Sequence, residues 1–255
     1  MKFIREKIAK PSVIITLFAI ALLLNNCASA PATKRPQESI DLEKAKAFQE
    51  AGRYELAIEQ YSDIKNKYPL SREAVTAELE LAETFYLQGS YAEARVAFES
   101  FQNLHPGHNK VDFAAFRVAL SSYQEIPATI DRDLTPAENA ITKFHEFIAN
   151  YPKSEYVKEA RTRIEEAQKK LAEKEYYIAD FYFRQKEYQA AEGRYRALLK
   201  KYRGAGYNEK ALFHLGLCYY KLNKKNKAKQ TLNLFIRRHA GSKYVKEAKK
   251  ILKEL

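Results

Sequence analysis

The residues that could carry catalytic or metal-binding chemistry are few and scattered. The chain has five His and two Cys in 255 residues, and none of them forms a C-x-x-C or H-E-x-x-H pattern. His105 and His108 flank a Pro-Gly pair, which is typical of a turn. Cys218 falls in an apolar stripe at helical spacing, which predicts a small buried side chain rather than a nucleophile. We therefore expect no metal and no cofactor.

Asp131-Arg132-Asp133 is the remaining group with acid–base potential, and it stands in a stretch between two prolines. Neither a nucleophile nor a metal ligand lies next to it in the sequence, so it predicts a local ion pair or an ordered loop. Without a catalytic constellation, the sequence favours a protein that is not an enzyme, with no catalytic residue.

The second cysteine, Cys27, follows a segment typical of an export signal. Four basic residues lie within the first ten positions, and the apolar run 13–24 is shorter than the ~20 residues that span a bilayer. Leu24-Asn25-Asn26-Cys27 resembles a bacterial lipobox, in which the cysteine is lipidated, although Asn26 stands where a small residue is usual. Cleavage after Ala30, giving a simply secreted chain, is the alternative.

The lipobox interpretation divides the N-terminal region. It predicts a signal peptide over 1–26, lipid attachment at Cys27 and a flexible tether over 27–37, which is small, polar and Pro-containing. Ala28 rather than Asp follows the cysteine, and by analogy with such lipoproteins this favours the outer membrane. We expect a lipid-anchored protein that faces the periplasm.

The rest of the chain is a helical repeat. Seven residues between Ala45 and Pro69 recur 37 positions later, between Ala82 and Pro106, and three further segments repeat the theme. Small residues recur where paired helices would touch, and large ones recur between neighbouring pairs, which is the tetratricopeptide pattern. The pattern predicts an all-α tetratricopeptide-repeat solenoid of about five helical hairpins, with a C-terminal capping helix over 242–255.

Two irregularities interrupt the repeat. The packing alanines of the second helices are Ala57, Ala94, Ala140, Ala191 and Ala228, at spacings of 37, 46, 51 and 37. The first excess lies in a loop over 124–136. The second lies in a stretch from 153 to 185 without a helix breaker, which predicts one helix of about 30 residues or two abutting helices, with Ser154 as N-cap. This stretch opens the second half, 153–255, and is expected to bridge it to the first half, 38–152.

The net charge of +12 is unevenly distributed between these halves. Residues 27–152 carry a net charge of −6, and residues 153–255 carry +15. A basic surface of this kind can steer acidic partners or anionic lipid headgroups, although a merely solvated basic face is an equally open interpretation. The export signal argues against nucleic acid as a partner.

Three groups of segments resemble the BamD family, lipoproteins of the outer-membrane β-barrel assembly machine. These segments are 77–91 with 105–114; 131–133 with 147–157; and 171–182 with 188–191 and Arg194. The resemblance covers nearly all of residues 27–255. It implies a non-enzymatic role beside BamA and the other lipoproteins of that machine.

The resemblance also implies two binding regions. The C-terminal half would hold the POTRA domain of BamA, with Tyr188 and Arg194 at positions that contact it in the family. The N-terminal half would receive the C-terminal signals of unfolded outer-membrane proteins in a groove. The repeat register predicts these groove residues: Lys46, Gln49, Leu79, Glu83, Tyr86, Phe113, Phe116, Leu120 and Tyr123. Packing between repeats is the alternative for each aromatic residue.

Two other classes of function stay open from the sequence alone. One is another tetratricopeptide lipoprotein of the envelope, such as a pilus-secretin pilotin or a cell-division coordinator. Pilotins have evenly spaced repeats, so the 51-residue spacing argues against them. The other is an enzyme or a peptidoglycan-processing factor, for which the sequence supplies no catalytic constellation.

Overall fold

The computed structural model describes residues 35–255, which form eleven helices. Their bounds are α1 Gln37–Glu50, α2 Tyr54–Lys67, α3 Arg72–Gln88, α4 Tyr91–Leu104, α5 Val111–Gln124, α6 Thr135–Asn150, α7 Val157–Arg184, α8 Tyr188–Lys201, α9 Asn208–Lys221, α10 Lys225–Arg238 and α11 Val245–Glu254. The predicted signal peptide, Cys27 and most of the predicted tether lie outside the described residues.

The helices pair in chain order into five antiparallel hairpins, and α11 packs on α10 as the cap. The prediction of an all-α solenoid with about five hairpins and a capping helix is therefore confirmed. All five packing alanines are 0% exposed. Because a methyl group is the largest side chain that such close helix contacts admit, these positions fix the pairing of each hairpin. We call α1, α3, α5, α7 and α9 the first-helix layer.

The turns inside the hairpins show why the repeat has two regular ends and an irregular middle. A residue with positive φ closes the turn in four hairpins: Gly52, Gly89, Lys186 and Asn223. Glycine adopts this left-handed conformation without steric cost, and asparagine is among the residues that tolerate it best. The third hairpin instead has a ten-residue loop over 125–134.

The 125–134 loop is ordered by hydrogen bonds rather than by ion pairs. Oδ1 of Asp133 accepts hydrogen bonds from the backbone N and Oγ1 of Thr135, and these bonds hold the pKa of Asp133 below its usual range. Lys170 and Lys174 of α7 donate to the loop carbonyls of Ala128 and Arg132, at 2.9 and 2.6 Å. Of the two roles predicted for 131–133, these contacts support loop ordering.

α7 is one continuous helix of 28 residues, so the single-helix prediction is confirmed over the abutting pair. Its N-terminal half packs on α6, and its C-terminal half pairs with α8. The prediction that Ser154 is its N-cap is wrong, because Tyr156 occupies that position. The helix begins at Val157, and Ser154 Oγ accepts from the backbone N of Tyr156, at 3.4 Å, in the preceding turn.

The core of residues 35–255 is continuous along the stack. Six clusters of buried side chains follow one another from α1 to α11. The two halves join where Leu134, Ala137, Leu171 and Tyr202 meet around α7. Because every described helix contributes buried side chains to these clusters, residues 35–255 carry a core of their own, as a stack of repeats that can fold as a unit does.

Candidate functional site

An arginine clamp lies in the first-helix layer of the N-terminal half. Arg117 of α5 forms an ion pair with Glu83 of α3, and its guanidinium lies 4.3 Å from the ring centroid of Tyr86 and 5.2 Å from that of Phe113. Guanidinium groups bind aromatic faces and carboxylates together because they are planar and weakly hydrated. The clamp therefore fixes two aromatic rings beside a paired charge.

The electrostatics of the clamp come from its partial burial. Desolvation raises the pKa of Glu83 above its ordinary value, and the neighbouring Arg117 opposes that shift. Within the described residues, the second carboxylate oxygen of Glu83 and Nε of Arg117 are buried without a hydrogen-bond partner. Buried polar atoms without a partner are uncommon because they cost folding free energy. The packing around the Glu83–Arg117 pair must offset that cost.

Polar and aromatic contacts continue on both sides of the clamp, from one first helix to the next. Toward α7, the hydroxyl of Tyr123 donates to Glu166 at 2.7 Å, and Arg163 lies 5.3 Å from the Tyr123 ring centroid. Toward α1, Gln49 donates to Glu80 at 3.5 Å. The contacts form a row across four consecutive first helices, α1, α3, α5 and α7.

The structure places the nine predicted groove residues in two environments. Lys46, Gln49, Glu83, Tyr86, Phe113 and Tyr123 are partly exposed. Leu79, Phe116 and Leu120 are 5%, 3% and 6% exposed and belong to the core. The expectation that these three line the groove is corrected, because their side chains fill the space between hairpins. Phe116, for example, stacks on Tyr156 at 5.0 Å.

Arg117, the centre of the clamp, was missed by the sequence reasoning. It lies 34 residues after Glu83, and Ser39 lies 34 residues before its partner Glu73. A separation near the repeat length places two side chains side by side on consecutive first helices. Opposite charges at this separation are the signal that would have found the pair.

The C-terminal half has an uncovered helix face at the middle of the stack. Residues of α3 recur 97 positions later in α7: Ala82 matches Ala179, and Tyr91 matches Tyr188 at the start of the next helix. In the first half, α2 packs on Leu81 and Phe85 of α3. Their counterparts in α7 are 178 and 182, but α6 packs on the earlier part of α7 and leaves this part without a preceding second helix.

We call this surface the uncovered face and define it by its residues. It consists of Tyr177, Ile178 and Phe181 of α7 and Ala190, Gly193, Arg194 and Ala197 of α8. Tyr177 and Phe181 are large apolar side chains left exposed. The α8 residues beside Arg194 are small and exposed, and a Cβ added at Gly193 would meet no atom within 4 Å. Small side chains let the backbone of a partner approach closely.

Arg194 and Tyr188 lie at the edges of this face. Arg194 is exposed, and its Nη1 is 3.4 Å from Oε2 of Glu175, a long contact that leaves most of the guanidinium available. Glu187 and Glu192, its neighbours in the sequence, form no ion pair with Arg194. Glu192 is instead bound by Lys224 at 2.5 Å. Tyr188 is half-buried and packs edge-to-face on Phe183, with 5.5 Å between ring centroids. An exposed arginine beside aromatic and small residues suits a protein contact.

The remaining candidate residues have structural surroundings. Nε2 of His105 lies 2.6 Å from Oε2 of Glu78, and both His105 and His108 pack on Phe101, as expected of an ordered turn. Cys218 is fully buried, as predicted, and desolvation raises the pKa of its thiol to about 12. Among residues 35–255, no group of three or more His, Cys, Asp or Glu could hold a metal ion.

Between residues 35 and 255, none of the helices combines the length and the apolar character that crossing a bilayer requires.

The stacked hairpins, with small residues at the helix contacts and large ones between neighbouring pairs, define a tetratricopeptide-type solenoid. The chain belongs to the family described as YfiO, outer membrane lipoprotein, whose model matches residues 37–234.

Curated relatives carry the name outer membrane protein assembly factor BamD. The protein from Neisseria gonorrhoeae is 28% identical, covering 86% of this chain and 88% of its own length. That from Caulobacter vibrioides is 24% identical, covering 96% and 82%. That from Vibrio cholerae is 28% identical, covering 73% and 81%. The similarity therefore extends through both halves of the solenoid.

Proposed function

We propose that this chain is a non-enzymatic lipoprotein subunit of the outer-membrane β-barrel assembly complex. In this proposal, it binds BamA beside the other lipoproteins and receives the C-terminal signals of unfolded outer-membrane proteins. The chain belongs to an outer-membrane lipoprotein family, and its relatives are named as assembly factors. Both facts support a role in the assembly complex. The observation that supports a scaffold most directly is the uncovered face, because it is apolar, partly aromatic and open in the middle of a stacked solenoid.

BamA is the occupant that we assign to the uncovered face, through its POTRA domain. Arg194 would pair with a carboxylate of that domain, while Phe181 and Tyr177 supply apolar contact area and the small α8 residues permit close approach. Tyr188, at the edge of the face, would add to the contact. A guanidinium can bind a carboxylate through two hydrogen bonds, which gives both affinity and orientation. The long hydrogen bond to Glu175 uses one N–H of Arg194 and leaves most of the guanidinium available to a partner.

The experiment is to measure binding of the POTRA domain to Arg194→Glu by calorimetry. Truncating one partner of such a pair typically costs ~2–5 kcal/mol, so we expect the dissociation constant to rise more than tenfold. A charge reversal on the POTRA carboxylate should restore it. Arg196→Glu is the matched control on the same helix, since Arg196 is also exposed but pairs with Glu192. A change of less than twofold for Arg194→Glu would place the docking surface elsewhere.

The client groove that we propose is the row of contacts centred on the clamp. The occupant is an extended segment from the C-terminus of an unfolded barrel protein. Alternate apolar side chains of such a segment would contact Tyr86, Phe113 and Tyr123, and polar atoms would meet Lys46, Gln49 and Glu83. The support is that these six residues are partly exposed and lie on consecutive first helices.

Attachment to the membrane through Cys27 completes the proposal and places the chain on the periplasmic side of the outer membrane. Cys27→Ala should leave the chain unprocessed or soluble in the periplasm, because lipid chains contribute ~0.8 kcal/mol per buried methylene. The measurement is the partition of the protein after carbonate washing of membranes. Unchanged partition of the variant would contradict the lipobox interpretation.

A further inference from the structure

The positive charge of the C-terminal half is concentrated at the very end of the solenoid. Residues 221–255 contain twelve Lys or Arg and two Asp or Glu, which accounts for ten of the fifteen net charges of residues 153–255. Among the described residues, one of these twelve cations, Lys224, is in an ion pair. The other eleven form no ion pair with a described residue, and three of them, Lys221, Lys227 and Lys243, lie over neighbouring tyrosine rings.

Helix α11 presents its share of this charge on one outer surface. Its buried residues are Ala248 and Ile251, and Tyr244 before it stacks on Phe213 with 4.6 Å between ring centroids. Every exposed residue of α11 is charged. We call the outward lysines the lysine face, and they are Lys243, Lys246, Lys249, Lys250 and Lys253.

The acidic residues of α11 do little to neutralise this face. Glu254 accepts a hydrogen bond from the hydroxyl of Tyr220 at 2.7 Å, which turns it back toward α9. Glu247 is the one carboxylate beside the five lysines. The lysine face is therefore a positively charged surface at the exposed end of the stack.

The composition of the face distinguishes between partners. Protein interfaces are depleted in lysine and enriched in aromatic residues and arginine at their centres, and the apolar residues of α11 are turned into the core. Flexible, strongly hydrated lysine ammonium groups suit instead a fluid surface of phosphate groups, where no fixed geometry is needed. Four to eight clustered basic residues on an amphipathic helix are typical of binding to anionic lipids.

We propose that the lysine face binds the surface of a bilayer that contains anionic phospholipids. Nearness to a membrane rests on the proposed function, in which Cys27 anchors the chain. The interaction is electrostatic and peripheral, because the apolar side of α11 already packs on the solenoid and does not insert. It would give the protein a second membrane contact at the end of the stack opposite its N-terminus.

The experiment uses residues 35–255, which carry their own core and omit the lipid anchor. Flotation with vesicles of phosphatidylcholine alone is compared with flotation with vesicles that also contain phosphatidylglycerol. We expect binding only to the anionic vesicles, and its loss when high salt shortens the screening length. The variant Lys246→Gln, Lys249→Gln, Lys250→Gln, Lys253→Gln should weaken the partition coefficient by up to about 600-fold, since each of the four lysines near such a surface contributes roughly fivefold.

Two matched variants separate position from total charge. Lys44→Gln, Lys153→Gln, Lys158→Gln, Lys169→Gln removes the same charge from exposed lysines outside α11 and should bind like the parent. Replacing the four α11 lysines by arginine should also preserve binding. Circular dichroism is the check that each variant is folded.

Several outcomes would overturn the proposal. They are equal binding to neutral vesicles, undiminished binding of the α11 glutamine variant, or an equal loss in the scattered-lysine control. If the α11 variant floats normally but loses the POTRA domain, the face binds an acidic protein instead. The flotation assay contains neither BamA nor a client, so its failure leaves the Arg194 experiment unaffected, and the reverse also holds.

Discussion

Thr84 of α3 and Phe181 of α7 occupy equivalent positions, 97 residues apart, yet Thr84 is 0% exposed and Phe181 is 47% exposed. A complete hairpin, α1–α2, precedes α3 and packs on this part of it at Leu81 and Phe85. Phe181 is uncovered because α7 has a double length, and the hairpin before it packs on its first half only. The solenoid thus has an exposed helix face in its middle. An aromatic residue is exposed there, at a position where the first half has a buried threonine.

The exposed aromatic ring of the uncovered face should contribute to partner binding and little to folding. Phe181→Ala should leave the melting temperature nearly unchanged, because half of the ring is already in water. We expect the dissociation constant for the POTRA domain to rise about thirtyfold, since aromatic hot-spot residues typically contribute ~2 kcal/mol or more. Calorimetry and thermal unfolding measure the two quantities.

The control for Phe181 is another exposed apolar residue outside this face. Val96 of α4 is 60% exposed and lies in the groove of the first half that α2 borders. Val96→Ala should bind the POTRA domain like the parent. A loss of affinity for Val96→Ala equal to that for Phe181→Ala would show that the partner does not discriminate between the two halves.

The clamp of the first half should contact unfolded clients. Glu83→Ala combined with Tyr86→Ala should weaken photo-crosslinking to a peptide from the C-terminus of a barrel protein, because it removes a ring and a carboxylate from the centre of the row. Arg117 loses both its ion pair and one of its aromatic contacts in this variant. Tyr86→Leu, which keeps the ion pair and the apolar volume, should retain part of the crosslinking and all of the fold.

The internal repeat offers a control at equivalent positions. Asp180 and Phe183 in α7 correspond to Glu83 and Tyr86 by the same offset of 97 residues. Asp180→Ala with Phe183→Ala should leave client crosslinking intact. It should perturb the C-terminal half about as much as Glu83→Ala with Tyr86→Ala perturbs the N-terminal half. Equal losses from the two double variants would mean that crosslinking reports the fold rather than the groove.

The fold was predictable from the sequence because each hairpin repeats the same local rule. The five packing alanines identified every second helix, and all five are fully buried. The groove was predictable only in part, since a helical register assigns Leu79 and Glu83 to one side but does not say how far a neighbour covers each. Coverage depends on the next hairpin, which is why Leu79 is buried and Glu83 is partly exposed.

The uncovered face was not predicted, although its signal was visible. The 51-residue spacing between Ala140 and Ala191 measured a helix too long for one hairpin. Such a helix must leave part of its length without a preceding neighbour. The sequence does not specify which residues lie on that part, because this depends on where α6 ends against α7.

Cys218 should be chemically silent in the folded protein. Its side chain is fully buried, and a pKa raised from 9.0 to about 12 lowers its thiolate fraction at pH 8 by roughly a thousandfold. In residues 35–255 it is the single cysteine, so a thiol reagent reports on it alone. We expect negligible labelling of the native protein and rapid labelling in urea. Native labelling within tenfold of the unfolded rate would show that α9 opens readily.

The close approach of α9 and α10 should make Gly216 intolerant of a side chain. A Cβ at this position would lie 2.4 and 2.8 Å from Cδ2 and Cγ of Leu232, which is itself fully buried and has no room to move. Overpacking of this kind costs about 1–3 kcal/mol, more than the gain of about 1 kcal/mol from replacing a helical glycine by alanine. Gly216→Ala should therefore lower the midpoint of urea unfolding.

Gly193 provides the matched control for Gly216, because it also lies inside a helix but a Cβ there meets no atom within 4 Å. Gly193→Ala should raise the unfolding midpoint through helix propensity alone. Adding Leu232→Ala to Gly216→Ala should relieve the clash, so that the two changes together cost less than the sum of their separate effects. Simple additivity in this double-mutant cycle would mean that the α9–α10 contact is looser than the distances between Gly216 and Leu232 indicate.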